Sequence, residues 1–493
     1  MTPRILFIIT PDRDGFSNKI RPNRSPQIGV AYLAAYLKKF NIASRVLDTG
    51  FDFHNRYHDL KQAIDGFKPD LIGITLYSRL ADYAKLIIED IKKLTAIPIV
   101  AGGPHISSTD DEFFHEAPID YGIKMDGEIP LKKLIFSLFL QEGELSSIPG
   151  LIYRNKDRTI TINSNSELIT DLDELPTPDF SGFKMGKYIS DSNPSIQMIT
   201  SRGCPYSCTF CNAHNVTGRQ FRFFSARRVI NDIRQYYEGG YRIICIGDDC
   251  FNVDLNRAKT ILQAIIEQKM KIVLRFIVGI RANFGDQEFF NLLYQAGCRQ
   301  IGFGLEAGDP DVLKSIKKGI TIERFIETLV YARKSGLITT ANFIIGHPNE
   351  TYEQAQKSLQ LARSLPVDEV CFFSMFPYKG TEAYNELKLL EKAGRIKFLF
   401  NYNDYHNKSG ANIIWPVYES AEFTKKQRIK LLRQGRNLQV KTIFSSRYGK
   451  TLGFIFSVIF CTNFLYQTAN RLRESRIGNY INRRINKVFQ HIN

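Results

Sequence analysis

Ser201-Arg-Gly-Cys-Pro-Tyr-Ser-Cys-Thr-Phe-Cys-Asn212 places three thiols, Cys204, Cys208 and Cys211, in a C-x3-C-x2-C run. No other stretch restricts the fold as much. Thiolates are soft donors suited to iron–sulfur clusters or zinc, and this spacing lets several of them face one centre. Gly203 and Pro205 favour a loop, and Phe210 is placed to shield a bound centre from water. Three thiolates on a cubane cluster leave one iron without a protein ligand, an open position for a small molecule. His214 follows at x2, so C-x3-C-x2-C-x2-H also has the composition of a closed tetrahedral zinc site.

The run resembles the signature of the radical S-adenosylmethionine (SAM) enzymes, including the aromatic residue before the last cysteine. That resemblance implies that Cys204, Cys208 and Cys211 hold a 4Fe-4S cluster whose free iron is chelated by the amino and carboxylate groups of SAM. One electron from the cluster then cleaves the sulfonium, giving a 5′-deoxyadenosyl radical that abstracts hydrogen. An oxygen-sensitive cluster suits a reducing compartment. Eight cysteines without an N-terminal signal peptide argue for one, and against a secreted disulfide scaffold. The expected location is cytoplasmic.

At 493 residues the chain is long for a single core. Arg4-Ile-Leu-Phe-Ile-Ile-Thr10, Ser44-Arg-Val-Leu-Asp48, Asp70-Leu-Ile-Gly-Ile-Thr75 and Pro98-Ile-Val-Ala-Gly-Gly103 read as short buried strands. Helical stretches, Gly29 to Phe40 and Ala81 to Leu94 among them, separate them, the pattern of a parallel doubly wound sheet. Ligands in such sheets sit at the carboxyl ends of strands. Thr75-Leu-Tyr-Ser78, Gly102-Gly-Pro-His105 and Asp126-Gly-Glu128 fall there.

Taken singly these are turn and loop sequences. In this order, with Gly29-Val-Ala-Tyr-Leu-Ala34, they resemble the cobalamin-binding domain found upstream of some radical SAM barrels. The resemblance implies cobalamin contacts from Thr75, Ser78, Gly102, Gly103, His105, Gly127 and Glu128. Two features depart from the pattern. The Asp-x-His-x-x-Gly motif that supplies a cobalt-ligating histidine elsewhere is absent, with His54 and His58 outside it. The last loop reads Met-Asp-Gly-Glu rather than Gly-Glu-Gly-Glu. A lower axial face without histidine is therefore expected.

Beyond the cysteine loop, strand and helix patterns alternate to about Gly394. Strand candidates are Arg242 to Gly247, Lys271 to Val278, Gln300 to Leu305, Thr340 to Ile345 and Glu369 to Met375. With the strand before Cys204 they make about six, as in the partial barrel of the radical family. By the same resemblance Phe210, Gly247, Asp248, Asp249, Arg281, Glu306 and Gly346 surround SAM. Two adjacent carboxylates suit its ammonium, and an arginine suits its carboxylate. Cys245, Cys298, Cys371 and Cys461 read as core packing. Cys250 is a candidate hydrogen donor, and Tyr206 and His214 are candidate substrate contacts. No catalytic residue is assigned.

The formal charge of +16 is unevenly spread. Residues Lys425 to Asn493 hold fifteen Lys and Arg against Glu474 alone, so 15 − 1 = +14 belongs to the tail and 16 − 14 = +2 to the rest. A near-neutral body counts against a large nucleic-acid footprint. In the tail, Leu452 to Cys461 is very apolar but short for a bilayer span, which needs ~20 apolar residues. Ile477, Tyr480, Ile481, Ile485, Val488 and Phe489 lie at helical spacing opposite Arg476, Arg483, Arg484 and Lys487. That pattern suits either an anionic membrane surface reached through 425–493 or a helical cap on the barrel.

The expected architecture is α/β. A cobalamin-binding Rossmann-like domain (1–150) and a linker (151–195) precede a partial (β/α)6 TIM-like radical SAM barrel (196–395) and a basic helical region (396–493). The expected activity is cobalamin-dependent radical methyl transfer to an unactivated carbon of a lipid-like or natural-product substrate. A reducing donor such as flavodoxin or ferredoxin would supply electrons. The alternative within this architecture is oxidative cyclisation like that of the anaerobic porphyrin-ester cyclases. A zinc-stabilised RNA-binding protein is the alternative of another class.

Overall fold

The computed structural model describes residues 2–13, 20–21, 25–164, 167–188, 194–400, 415–449 and 451. The first unit is built on β1 (Arg4–Ile9), β2 (Ala43–Asp48), β3 (Leu71–Thr75), β4 (Ile99–Gly102) and β5 (Tyr121–Ile123). They pair in the order β2-β1-β3-β4-β5, all parallel. Their near-continuous apolar sequence has a simple cause: both faces are covered. Leu6, Ile8, Ile72, Ile74 and Ala101 pack with Ile87, Ile88 and Ile91 of the helix Ala81–Leu94. Ile5, Phe7, Ile9 and Val100 pack on the other face against the helices Ile28–Lys38 and Glu128–Phe139.

This sheet does not stop at residue 150. β6 (Leu151–Arg154) and β7 (Ile160–Ile162) add to its edge antiparallel, so the expected connector begins as part of the first unit. Farther along, Ile169, Leu172 and Leu175 are buried in the core of the second unit. The connector is therefore packed on both units rather than strung between them.

The second unit contains β8 (Ser195–Met198), β9 (Ile243–Ile246), β10 (Val273–Phe276), β11 (Gln300–Glu306), β12 (Ile338–Ile345) and β13 (Glu369–Ser374). β8-β9-β10 and β11-β12-β13 are parallel sheets. The bridges Leu274–Cys298 and Ile280–Phe303 link the two sheets into one curved wall of six strands. Helices line its outside, each N-terminus marked by a capping side chain such as Ser225, Asp254, Thr321 or Thr351. Phe289, Phe290, Phe303, Phe325 and Phe343 fill the layer between the strands and these helices.

The basic tail divides. Its first helix, Lys425–Tyr448, opens with a Thr424/Gln427 capping box and lies along β13. Gly435 permits the approach, since a Cβ there would stand 2.5 Å from Phe372. Thr442 Oγ1 accepts the Val370 N–H at 3.2 Å. This part is a cap on the barrel. The stretches 452–461 and 477–489 lie outside the described residues. Among the described residues no helix is long and apolar enough to cross a membrane.

Candidate active site between the two units

The cysteine loop hangs between two short antiparallel strands, Ser201–Arg202 and Arg222–Phe223. Gly203 turns the chain into it at φ 84°, where a Cβ would stand 2.2 Å from the Gln220 carbonyl oxygen. Thr209 anchors the far side, its N–H donating to Ile316 O and its carbonyl accepting the Ala383 N–H. The three sulfurs then line one cavity, together with Tyr206, Phe210, His214, Asp249, Arg281, Glu306, Lys318 and Asn342. No disulfide joins the described cysteines.

The thiols are not alike. Burial pushes Cys211 up to about 11. The Cys250 thiol beside Cys204 holds that group down at about 6, and Cys250 itself is raised. Cys250 is fully buried, so it faces Cys204 and not the open cavity. Among the described residues no three His, Cys, Asp or Glu side chains close on a single ion. Thiolates are the soft donors that iron–sulfur clusters take. The donor set and its shared cavity fit a cluster.

Arg281, just beyond β10, reaches into this cavity. Its guanidinium stacks 3.6 Å from the Tyr206 ring centroid, and Nη1 donates to Cys208 Sγ at 3.6 Å. Its Nε is buried without a partner among the described residues, a donor available to an anionic ligand. Glu306 ends β11 at φ 78°, a costly conformation for a residue with a Cβ. Two contacts hold it there. Lys318 Nζ donates to its carboxylate at 2.9 Å, and the His347 ring lies 3.4 Å from its carbonyl. Gly304 leaves room for the carboxylate, which stands 2.0 Å from where a Cβ would lie. Phe210 packs on His347 with ring centroids 5.7 Å apart. Lys318 and Asn342 belong to no motif that sequence reading could use, one lying in the short loop between the helices Pro310–Ser315 and Ile322–Lys334 and the other inside β12.

The adjacent aspartates separate. Asp248 is buried away from both cavities, accepting from Thr200 N at 2.6 Å, Thr200 Oγ1 at 2.5 Å and Ser201 Oγ at 2.7 Å. It stitches β8 to β9 and does not face a ligand. Asp249 accepts from Thr217 Oγ1 at 2.6 Å and Gly203 N at 3.3 Å, and it lines both this cavity and a larger one. Burial raises both carboxyls. Gly346 lies outside the cavities at φ 98°, facing Arg428 of the C-terminal helix, whose Nη1 stands 2.2 Å from where a Cβ would lie.

The larger cavity, about 690 Å³, lies between the units at the carboxyl ends of β3, β4 and β5. Thr75, Gly102, Gly103, Gly127, Glu128 and Gly247 line it, as do Tyr77, Arg79, Gln197 and Ile277. Among the described residues, Gly29 borders it with nothing within 4 Å of a Cβ position, and Gly102 has only the Ile123 carbonyl at 3.8 Å. Such a bare floor fits a broad flat ligand. Ser78 and His105 are not in this wall; they meet each other at 3.1 Å behind it. Burial lowers His105 to about 4. Glu128 lines the cavity, but its carboxylate is gripped by Arg202 at 2.6 and 3.2 Å.

Residues 198–362 match the radical SAM superfamily and residues 21–135 match the B12 binding domain. Over 432 residues the chain is 29% identical to an uncharacterized methyltransferase of Pyrococcus horikoshii, covering 87% of this chain and 91% of that one. Over 395 residues it is 24% identical to the anaerobic magnesium-protoporphyrin IX monomethyl ester cyclase of Rubrivivax gelatinosus, covering 78% and 70%. The cobalamin-dependent S-adenosylmethionine radical enzyme OxsB, solved with aqua-cobalamin and S-adenosylmethionine bound, shares the fold. Its TM-score is 0.73 at 18% identity, over 97% of this chain and 73% of that one.

Proposed function

The chain belongs to the radical S-adenosylmethionine enzymes that carry a B12-binding domain, and we propose that it methylates an unactivated carbon of a lipid-like or natural-product small molecule. One observation carries the reading: a three-thiol cavity and a bare-floored cavity lie side by side, sharing Asp249 as a common wall. When bound, a 4Fe-4S cluster supplies the electron that cleaves SAM, and cobalamin supplies the methyl group.

In this reading Cys204, Cys208 and Cys211 hold the cluster. Asp249 receives the ammonium of SAM, and the buried Nε of Arg281 its carboxylate. Glu306, fixed by Lys318, borders the same ligand. Thr75, Gly102, Gly103 and Gly127 floor the corrinoid cavity. Phe210 and the arginine-stacked Tyr206 keep water from the sulfurs. We further assign a flavodoxin- or ferredoxin-like donor, a reducing cytoplasmic setting, and an anionic membrane surface as partner of the basic tail beyond the helix that caps the barrel.

The test is anaerobic reconstitution, with iron, sulfide and corrinoid measured per chain, followed by incubation of a small-molecule extract with methyl-labelled SAM. Label in a product together with 5′-deoxyadenosine is expected. The similarity to an ester cyclase keeps one second reading, oxidative ring closure. In that case 5′-deoxyadenosine forms and no product carries label.

A further inference from the structure

Arg202 and Arg222 are directly opposed on the antiparallel pair that carries the two ends of the cysteine loop. Like charges facing each other there are destabilising unless something neutralises them. Both are buried, at 7% and 2% exposure. Their counter-charges come from the other unit, from the loop after β5 and the first residue of the helix Glu128–Phe139. Glu128 takes Arg202 through two hydrogen bonds, 2.6 and 3.2 Å. Asp126 spans the two arginines, 3.3 Å from Arg202 Nη1 and bonded to Arg222 Nη1. Arg222 also donates to Thr217 O at 2.7 Å and Ile169 O at 2.8 Å. Tyr32, of the helix Ile28–Lys38, closes the group: its ring lies 5.4 Å from the Arg202 guanidinium and stacks on Phe224 of the barrel.

We propose that Asp126, Glu128, Arg202 and Arg222 form a neutral, buried latch that sets the distance between the cysteine loop and the corrinoid cavity. The proposal rests on the cofactor reading above. Its logic is geometric. Two positive and two negative charges cancel, so the group can be buried, but each charge is tolerated only while its partner from the other unit is in place. The cations leave the barrel on the two strands that frame the cysteines; the anions lie in the wall of the larger cavity. Sliding one unit past the other would bare all four. Glu128, expected to contact a cofactor, here serves the join together with Tyr32 and Asp126. These are positioning residues.

The readout is spin relaxation in the full-length protein reconstituted with cluster and cob(II)alamin. A reduced cluster speeds relaxation of a nearby cob(II)alamin spin steeply as their separation shrinks, so microwave power saturation reports the gap. Asp126→Asn removes one charge at constant shape. Arg202→Met with Glu128→Leu replaces an ion pair by apolar side chains of similar size, a change buried pairs often tolerate. Both variants are expected to bind iron and corrinoid at wild-type stoichiometry yet lose part of the cluster-induced relaxation. Unchanged relaxation in a fully loaded variant overturns the latch. So does loss of corrinoid with the cluster retained, which would mean the carboxylates hold the corrinoid directly. If Asp126→Asn does not fold, the double variant decides on the same terms. A wild-type protein that takes up neither group fails before any variant is made, and overturns the cofactor reading together with the latch.

Discussion

Arg281 Nη1 points at Cys208 Sγ across 3.6 Å, tying the end of the third barrel strand to the middle of the cysteine loop. A cation that close to a cysteine sulfur, stacked on Tyr206 and with Nε unsatisfied among the described residues, is held ready for a negatively charged partner. Arg281→Met should therefore weaken SAM binding. A charge-assisted hydrogen bond contributes about 1.5–3 kcal/mol, or roughly 10- to 100-fold in affinity. Arg281→Lys should recover only part, because an ammonium lacks the planar fork. Anaerobic equilibrium dialysis with labelled SAM checks this, and an unchanged Kd refutes the assignment.

Cys208→Ala should abolish 5′-deoxyadenosine formation and the cluster's electron paramagnetic resonance signal. The larger cavity takes no wall from that residue, so corrinoid binding should persist by absorbance. A variant that still cleaves SAM means that the cluster is held elsewhere.

Gly203→Ala should cost cluster loading. A left-handed backbone costs about 1–2 kcal/mol once a Cβ is present. Here that Cβ would also overlap the Gln220 carbonyl oxygen at 2.2 Å. Iron and sulfide per chain should fall while far-ultraviolet circular dichroism stays near wild type; full iron content in the variant would show that the turn is not needed.

Stability should fall on acidification below neutrality. His105 and His347 are buried, and burial holds each down at about 4, against 6.5 for an exposed histidine. Between those values the unfolded chain binds protons that the folded chain refuses. Each histidine thus removes up to roughly 3 kcal/mol as pH drops from about 6.5 to 4. Glu350 acts with the opposite sign: burial raises it to about 7, so its contribution is full at low pH and is lost as pH rises from about 4.5 to 7. Denaturant melts at pH 5 and 7 should show a smaller acid loss in His347→Asn and a larger one in Glu350→Gln. Identical pH slopes in all three proteins would contradict these environments.

Much of this protein is legible in one dimension. Strands such as β1 and β3 are apolar on both faces because helices cover both, and that leaves a mark in local sequence. The cysteine loop is equally local: its thiol spacing and Gly203 sit within one turn of chain. Pairing partners are not local. Nothing in Leu151–Arg154 distinguishes a linker strand from a strand of the first sheet, because hydrogen bonding to β5 decides it.

The site shows the same division. Asp248 and Asp249 are neighbours of identical chemistry, and sequence cannot separate them. The backbone turns one toward Thr200 and Ser201 and the other toward two cavities. Lys318 and Asn342 reach the cysteine cavity from distant strands and loops with no motif to announce them.

By itself the sequence determined which chemistry the chain can host, because soft donors at short spacing and glycines at tight turns are properties of adjacent residues. Only the tertiary structure decided where charge could be buried. Asp126 and Glu128 lie far along the chain from Arg202 and Arg222, and the free energy of burying an ion depends on the partner that folding brings within hydrogen-bonding distance, whatever its place in the sequence.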